Sequence, residues 1–539
     1  MNPESESGNI EYKINLLDKS EERLNELTTQ MRYRCNEGEG ECIYNLGVMD
    51  DGNMVGITNK EYKETIENIN TIADKNDYLV KLLSEVRISD TKKVYEVLIR
   101  EKNDNKYIDI KVAIAGNVNA GKSTLLGTLT TGEKDNGRGL SRSSIFNYSH
   151  ELKTGRTSSI AHHILGFNSK GEIVNNQGII KSSWNDIVQK SFKIISFIDL
   201  AGHEKYLKTT ITGLSSSFSD FCIIIVAAND GMQPITKEHI FLCVILKIPF
   251  IIVISKIDIC VDRKNILDDT IKGINKFLKY PGIRKISINI KNEEDVILAA
   301  KNIYNESIVP IFYISNVTRE GVDKLSSFFN IIGKRPNMYN IKEDDDDNNS
   351  VEFHIDNVFN VSGFGKVVGG YLIKGIVKIG DKLILGPGYG EYETVNIKSI
   401  YCKKIPLQVV SHGSYVCLGI KKFDKIIKKG NVIISSNLKK LNVKKFFAKV
   451  DILKTHSTTV KIGYEPTLHA YSIRQVAKIL DIKDKKNNRN ALIDDNILRN
   501  ADSAIVEFEF KYKPEYLKVG TRFVLCEGKC KIVGEVISN

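Results

Sequence analysis

No stretch of this 539-residue chain is apolar enough to cross a membrane as a helix. The strongest runs, such as Ile248–Ile254, are strand length, against the ~18 residues that a span requires. The opening MNPESESGNIEY is polar and acidic and holds no apolar signal core. The closing VISN is not a prenylation box. Nine cysteines are spread along the chain without a CxxC pair, and the nearest two are Cys526 and Cys530. That excludes a disulfide framework and a zinc-finger spacing. No fixed-period repeat is visible, and no aromatic signature of a sequence-reading RNA module. These absences predict a soluble, cytoplasmic protein with reduced thiols and no membrane partner; a monomer is expected as well.

What is present is globular. Hydrophobic residues make up 42% and charged residues 27%, which excludes a fibrous or wholly disordered chain. At roughly 150 residues per domain, about three to four domains are expected. The net charge of +11 is unevenly placed. Residues 1–108 carry 15 Lys and Arg against 22 Asp and Glu, whereas residues 351–539 carry 32 against 18. The basic third can meet phosphates; the competing reading is a solvated lysine-rich surface. Lys421–Lys429, with five lysines, is its densest cluster and carries the same two readings.

Residues 1–108 read as an accessory extension with partial order. Helical stretches are expected near Ile14–Thr29 and Asn59–Asp74, with a turn-rich segment Arg32–Thr58 between them and a strand at Val94–Arg100. From residue 109 to 336, short β-branched runs alternate with helix-length segments. The runs are Ile108–Ala115, Ile194–Ile198, Cys222–Ala227, Phe250–Ser255 and Ile311–Ile314. This spacing predicts a parallel sheet with helical crossovers. Residues 337–350, with four consecutive aspartates, read as an acidic linker. Residues 351–440 and 441–539 read as two all-β barrels, from short strands and recurrent glycines. One polar insertion, Asp481–Asn500, is expected as an exposed loop.

Three motifs carry chemistry. Gly116-Asn-Val-Asn-Ala-Gly-Lys-Ser123 fits G-x-x-x-x-G-K-[ST], between a strand and a helix-like Thr124–Thr130. Glycine lets backbone N–H groups approach phosphate oxygens, and the helix N-terminus adds a positive dipole. Asn117, Val118, Asn119, Ala120, Gly121, Lys122, Ser123 and Thr124 are the expected cradle. Lys122 would reach the β- and γ-phosphates and Ser123 would hold Mg²⁺. Asp199-Leu-Ala-Gly202-His203 follows an apolar strand, where Asp199 suits Mg²⁺ and the Gly202 N–H suits the γ-phosphate. Ser255-Lys256-Ile257-Asp258 follows another. There the Asp258 carboxylate can accept both N–H groups that guanine offers and adenine lacks, with the stem of Lys256 on the base. In this order the motifs select GTP over ATP.

Together these motifs resemble the translational GTPases of the elongation factor Tu type, and within them the GTP-binding protein 1 and 2 branch. GEKDNGRGLSR, ELKTGRTSS, FIDLAGHEKYLKTT and ISNVTREGVDKL carry the resemblance. FNVSGFGKVVGG, HSTTVKIGYEP, SIRQVAKIL and MRYRCNEGEGECIYNLGVMDDG extend it from about residue 31 to the end. The resemblance implies an α/β P-loop GTPase domain followed by two β-barrels, here preceded by an α+β extension. It also implies GTP/GDP and Mg²⁺ as ligands. It makes Thr157 the γ-phosphate and Mg²⁺ sensor, and Ser315, Asn316 and Val317 a guanine-contacting loop. It makes His203 the residue that orients the attacking water. The remaining histidines, His150, His162, His163 and His239, read as structural. By the same resemblance the barrels meet the acceptor end and stem of an aminoacyl-tRNA, and the ribosome is the activator.

Three positions depart from the elongation factor Tu pattern. Asn119 replaces an aspartate linked to a monovalent cation. Ser255 replaces the commoner Asn or Thr. Arg156 stands where an aliphatic gate residue is usual. Three functional readings follow: a GTP-hydrolysing translation factor, a GTP-dependent RNA-binding adaptor for RNA-decay or rescue proteins, and a nucleotide binder that no longer hydrolyses. Intact Lys122, Thr157, Asp199 and His203 argue against the last.

Overall fold

The computed structural model describes all residues except 1–2, 7, 103–106, 144, 146–160, 176–181, 204–206, 217, 281, 337–349, 362–364, 389, 422, 424, 453–458, 487–496, 500–501 and 528. For residues 207–209, 216, 486, 527 and 529–531 it describes the backbone alone.

The N-terminal unit is a sheet of β1 (Ile10–Lys13), β2 (Glu41–Leu46), β3 (Ile57–Thr58), β4 (Tyr78–Arg87) and β5 (Lys92–Glu101). β5 is the hub, pairing with β2, β3 and β4. Two helices, Glu21–Glu37 and Asn59–Lys75, pack on the sheet through Leu27, Met31, Ile69 and Ile72. The second helix starts at a capping box, Thr58 with Glu61. The first begins later than the sequence predicts. Leu16 is held out of the helix because its N–H donates to Thr65 Oγ1 at 3.1 Å and its carbonyl accepts from Asn68 at 2.7 Å. The acidic opening is used as well. Buried Arg34 donates to Glu11 at 2.6 Å and to Glu4 at 2.8 Å. Where partial order is expected, the described residues build an α+β unit with its own core.

The central sheet runs β11 (Ile286–Asn289), β12 (Ile308–Tyr313), β10 (Phe250–Ser255), β9 (Phe221–Ala227), β6 (Ile108–Gly116), β8 (Lys193–Asp199), β7 (Ala161–Phe167). All neighbours are parallel except β7 and β8. Alternate residues serve two cores, as the two-residue strand period requires. Phe221, Ile223 and Ile225 enter one core; Cys222, Ile224 and Val226 enter the other. β7 and β11 are edge strands that the apolar runs do not announce.

The first core also takes in Ile43 and Leu98 of the N-terminal sheet. Beside them lies a fully buried polar lock. Glu41 accepts from Arg100 Nε at 2.9 Å and from Lys193 Nζ at 2.5 Å. Arg100 also donates to Asn330 Oδ1 at 2.7 Å, and Lys193 to the carbonyls of Asn330 and Ile332 at 2.9 and 2.7 Å. Every charge has a partner, the condition under which such a cluster is tolerated in a core.

Past residue 350, six strands close into a barrel in the order Lys382–Gly388, Val432–Ile434, Glu352–Val361, Gly365–Lys374, Ser414–Ile420, Glu391–Cys402, with the first and last paired. A second closed barrel uses Lys445–Ile452, Ser503–Phe510, Ile473–Lys486, Thr467–Ala470, Arg522–Glu527 and Lys529–Ser538. The insertion expected as a loop from Asp481 is strand through Lys486. Ile482 faces the barrel core and pairs with Val506. The second barrel adds Val524 and Cys526 to the second core of the central sheet. Among the described residues, no helix is long and apolar enough to cross a membrane.

Candidate functional site

The carboxyl ends of β6, β8 and β10, with the loop that follows β12, bring the motif residues to one edge of the parallel sheet, where open α/β sheets bind ligands. β6 ends in Gly116, whose φ of 148° and position against Ile225 leave no room for a side chain. A Cβ there would lie 2.4 Å from the Ile225 carbonyl. Asn119 and Gly121 also take positive φ, 60° and 92°, and turn the chain into the helix Lys122–Thr131. Asn117 and Val118 are partly exposed, and Ala120 is buried.

Lys122 folds back over this loop. Its Nζ donates to the carbonyls of Asn117 at 2.8 Å and Gly116 at 3.2 Å. Burial pushes its pKa down, and the Asp199 carboxylate opposes that shift. Ser123 Oγ donates to Asp199 Oδ2 at 2.9 Å, and Asp199 is 1% exposed. A hydroxyl and a carboxylate therefore converge below the loop, the oxygen set that a hard divalent cation takes. Thr124 follows on the same helix turn. Gly202 packs over Lys122, with space for hydrogen only: a Cβ would meet Lys122 Nζ at 2.2 Å and Gly116 O at 2.6 Å. His203 is exposed at the mouth of this turn.

The two remaining loops close the site. Ser255, at the end of β10, is buried and donates to the Ala120 carbonyl at 2.6 Å. This hydroxyl ties the end of β10 to the loop Gly116–Ser123. Lys256 adopts φ 60° and leads into the short turn Ile257–Cys260, which presents a half-buried Asp258. After β12, Ser315 Oγ accepts from the N–H groups of Val317 and Thr318 at 3.2 and 3.1 Å. Asn316 is buried beside Gly121, and Val317 is exposed. The Ile257 N–H donates to the Ile314 carbonyl at 3.3 Å, joining the two loops.

Thr157, Arg156 and His150 lie outside the described residues. His239 is fully buried, and burial first, then the Lys122 charge, lowers its pKa to about 3. His162 keeps an exposed side chain on β7, where desolvation by the surrounding protein and then the Lys403 charge lower its pKa. In the lysine cluster, Lys425 pairs with Glu391 and Glu393, and Lys429 Nζ donates to Asn357 Oδ1 at 2.7 Å. The sequence alone assigns no role to Asp135. Its carboxylate accepts from the N–H groups of Gly137, Gly139 and Ser141 at 2.9, 3.2 and 3.0 Å. Its own N–H donates to the Asn316 carbonyl at 3.0 Å. The cue in the sequence is an aspartate followed two and four residues later by glycine.

Residues 109–334 match the elongation factor Tu GTP-binding domain family. GTP-binding protein 2 of Homo sapiens is 39% identical across 99% of this chain and 87% of its own length. GTP-binding protein 1 of Xenopus laevis is 39% identical across 98% of this chain and 78% of its own. Among solved structures, a bacterial selenocysteine-specific elongation factor shares the fold. It has a TM-score of 0.54 and 21% identity, over 80% of this chain and 58% of that one. The chain belongs to the GTP-binding protein 1 and 2 branch of the translational GTPases, binding guanine nucleotide and hydrolysing GTP.

Proposed function

We propose that this GTPase is a translation factor that works on the ribosome in the cytoplasm and carries aminoacyl-tRNA in its GTP state. The observation that carries the tRNA reading is a cavity of about 610 Å³ between the β7–β8 edge of the central sheet and the first barrel. It is lined from both sides and lies beside the basic barrel region. The domain assignment that goes with this reading is 1–108 accessory unit, 109–336 GTPase domain, 337–350 linker, 351–440 and 441–539 barrels.

In this reading the phosphates of GTP lie on the N–H groups of Asn117–Thr124, at the positive end of the helix Lys122–Thr131. Lys122 exchanges its two carbonyl partners for phosphate oxygens. Ser123, Asp199 and Thr157 would hold Mg²⁺, which when bound neutralises phosphate charge. The 2.9 Å Ser123–Asp199 contact supports that donor set. Asp258 and Lys256 select guanine, Ser255 braces them against Ala120, and Ser315, Asn316 and Val317 close on the base. Water attacks the γ-phosphate in line. His203 orients that water and Gly202 offers its N–H to the γ-phosphate. The loose transition state asks for positioning more than for a strong base.

The test is GTP hydrolysis by the purified full chain, with and without ribosomes, adding charged or uncharged tRNA. Stimulation that needs ribosomes and rises with charged tRNA supports the carrier reading. Ribosome stimulation indifferent to tRNA charging would turn the assignment to rescue or RNA decay. His203→Ala should keep GTP affinity and lose the stimulated rate by about 10²-fold or more. Equal loss of binding would refute the positional role.

A further inference from the structure

Asp135 is buried in the loop that follows the helix Lys122–Thr131. Its carboxylate organises that loop. Oδ2 accepts from the N–H groups of Gly137 and Gly139, and Oδ1 from that of Ser141. Gly137 and Gly139 take φ of 75° and 92°, which lets the chain curl round the carboxylate. The alternate N–H groups go to Asn136 Oδ1, from Arg138 at 2.9 Å and Leu140 at 3.3 Å. Hydrogen bonds to an ionised carboxylate are stronger than neutral ones, and three of them hold Asp135 in one place.

From that place its main chain reaches the loop after β12. The Asp135 N–H donates to the Asn316 carbonyl at 3.0 Å. Arg319 Nη1 donates to the Gly132 carbonyl, a second tie between the same two segments. The peptide unit joining Asn316 to Val317 is therefore held at both ends, its carbonyl by Asp135 and its N–H by Ser315 Oγ. The Asn316 side-chain oxygen adds no anchor, because Oδ1 has no hydrogen-bond partner among the described residues. The N–H groups of Ser315, Val317 and Thr318 are all bonded inside the loop, which leaves that of Asn316 to meet a base. On the guanine edge that Asp258 reads, the acceptor beside the two donors is O6.

We propose that Asp135 is a positioning residue for guanine recognition, holding the Asn316 main chain so that its N–H meets the guanine O6. Asp135 acts through the loop and does not touch the base. The proposal rests on the reading that Ser315, Asn316 and Val317 close on the base, and it names what holds them there.

The experiment titrates GDP, 6-thio-GDP and inosine diphosphate onto the full chain. 6-Thio-GDP changes O6 alone, to a sulfur that accepts hydrogen bonds weakly. Inosine diphosphate keeps O6 and lacks the 2-amino group that Asp258 takes. The parent should bind each analogue about tenfold more weakly than GDP. Asp135→Ala should lower GDP affinity by about tenfold and cut the preference for GDP over 6-thio-GDP to about twofold. Its preference for GDP over inosine diphosphate should stay at the parent value. Asp135→Asn keeps one acceptor oxygen and should show the same pattern in smaller measure, which decides the matter if the alanine variant folds poorly. An equal loss for all three nucleotides means that the carboxylate only supports the fold; it overturns the proposal and leaves the base-loop reading standing. Unchanged affinities overturn the proposal in the same way. A parent that binds 6-thio-GDP as tightly as GDP overturns the base-loop reading and the proposal with it.

Discussion

A methyl group on Gly202 would press on the Gly116 carbonyl at 2.6 Å and on the Asn117 backbone at 3.0 Å, atoms that cannot swing aside as a side chain can. The Lys122 ammonium, 2.2 Å from the same point, can swing away, but only by leaving its place beside the loop. Overpacking of this kind costs about 1–3 kcal/mol. Gly202→Ala should weaken GTP binding by about tenfold, read by nucleotide titration; unchanged affinity would mean that the turn shifts freely on binding. Glu352 offers a second single-residue test, through pH. Burial alone raises its pKa, but the His354 ring at 2.9 Å and the Lys518 ammonium outweigh this and bring it to about 2. The folded chain therefore holds this proton more weakly than the unfolded chain does. The stabilisation is complete above about pH 4.5 and is lost as the pH falls to about 2. Glu352→Gln removes the effect. The stability gap between parent and variant should shrink by about 3 kcal/mol from pH 6 to pH 2, by denaturant titration.

Between elements, the lock of Glu41, Arg100, Lys193 and Asn330 joins β2, β5, the start of β8 and the helix Val322–Ile331. Removing Arg100 strands Glu41 beside a single lysine in a buried setting, a change that costs about 3–5 kcal/mol. Arg100→Ala should lower the unfolding free energy by that amount and unfold the N-terminal unit before the central sheet. A loss below about 1 kcal/mol would show that water replaces the arginine. This lock also marks the limit of what the sequence reveals. Gly116–Ser123, Asp199–His203 and Ser255–Asp258 are short strings at strand ends, so spacing alone identifies them. β10, which carries the last of them, is a continuous apolar run because both its faces are buried. By contrast, Arg100 and Asn330 lie 230 positions apart, and Glu41 and Lys193 lie 152 apart. No local pattern announces such pairs. The edge strands Ala161–Phe167 and Ile286–Asn289 escape notice because their exposed positions break the apolar run. The first helix is misplaced at its start because Leu16 is held by side chains some fifty positions downstream.

Across the whole molecule, the central domain and the two barrels meet at Phe218. Its ring stacks on Tyr371 of the first barrel at 4.6 Å and on Tyr471 of the second at 5.2 Å. His354 closes the group edge-on at 6.3 Å. The backbone at Phe218 has φ 47°, an uncommon conformation for a bulky residue, which the packing around it must hold in place. The same junction is tied to the turn after Asp199. The helix Leu207–Ser216 lies between that turn and Phe218, and it bonds the second barrel from Thr212 Oγ1 to His469 Nδ1 at 3.3 Å. Ser215 Oγ adds a bond to the Tyr471 carbonyl at 3.2 Å. The segment that follows the Asp199–His203 turn is thus joined to the first barrel through Phe218 and to the second through Phe218, Thr212 and Ser215. Phe218→Ala removes the group without touching the nucleotide loops. Phe218 is half-buried, so its truncation should cost less than the roughly 3–5 kcal/mol of a fully buried phenylalanine, part of it the stacking itself. The variant should unfold at lower denaturant and show a larger radius by solution scattering, with GTP affinity within about twofold of the parent. Ribosome-stimulated hydrolysis should fall, because the first barrel loses its stacking contact at this junction, although the Thr212 and Ser215 bonds still hold the second. Unchanged stability and radius would mean that the Lys111, Lys403 and Glu352 contacts hold the barrels by themselves.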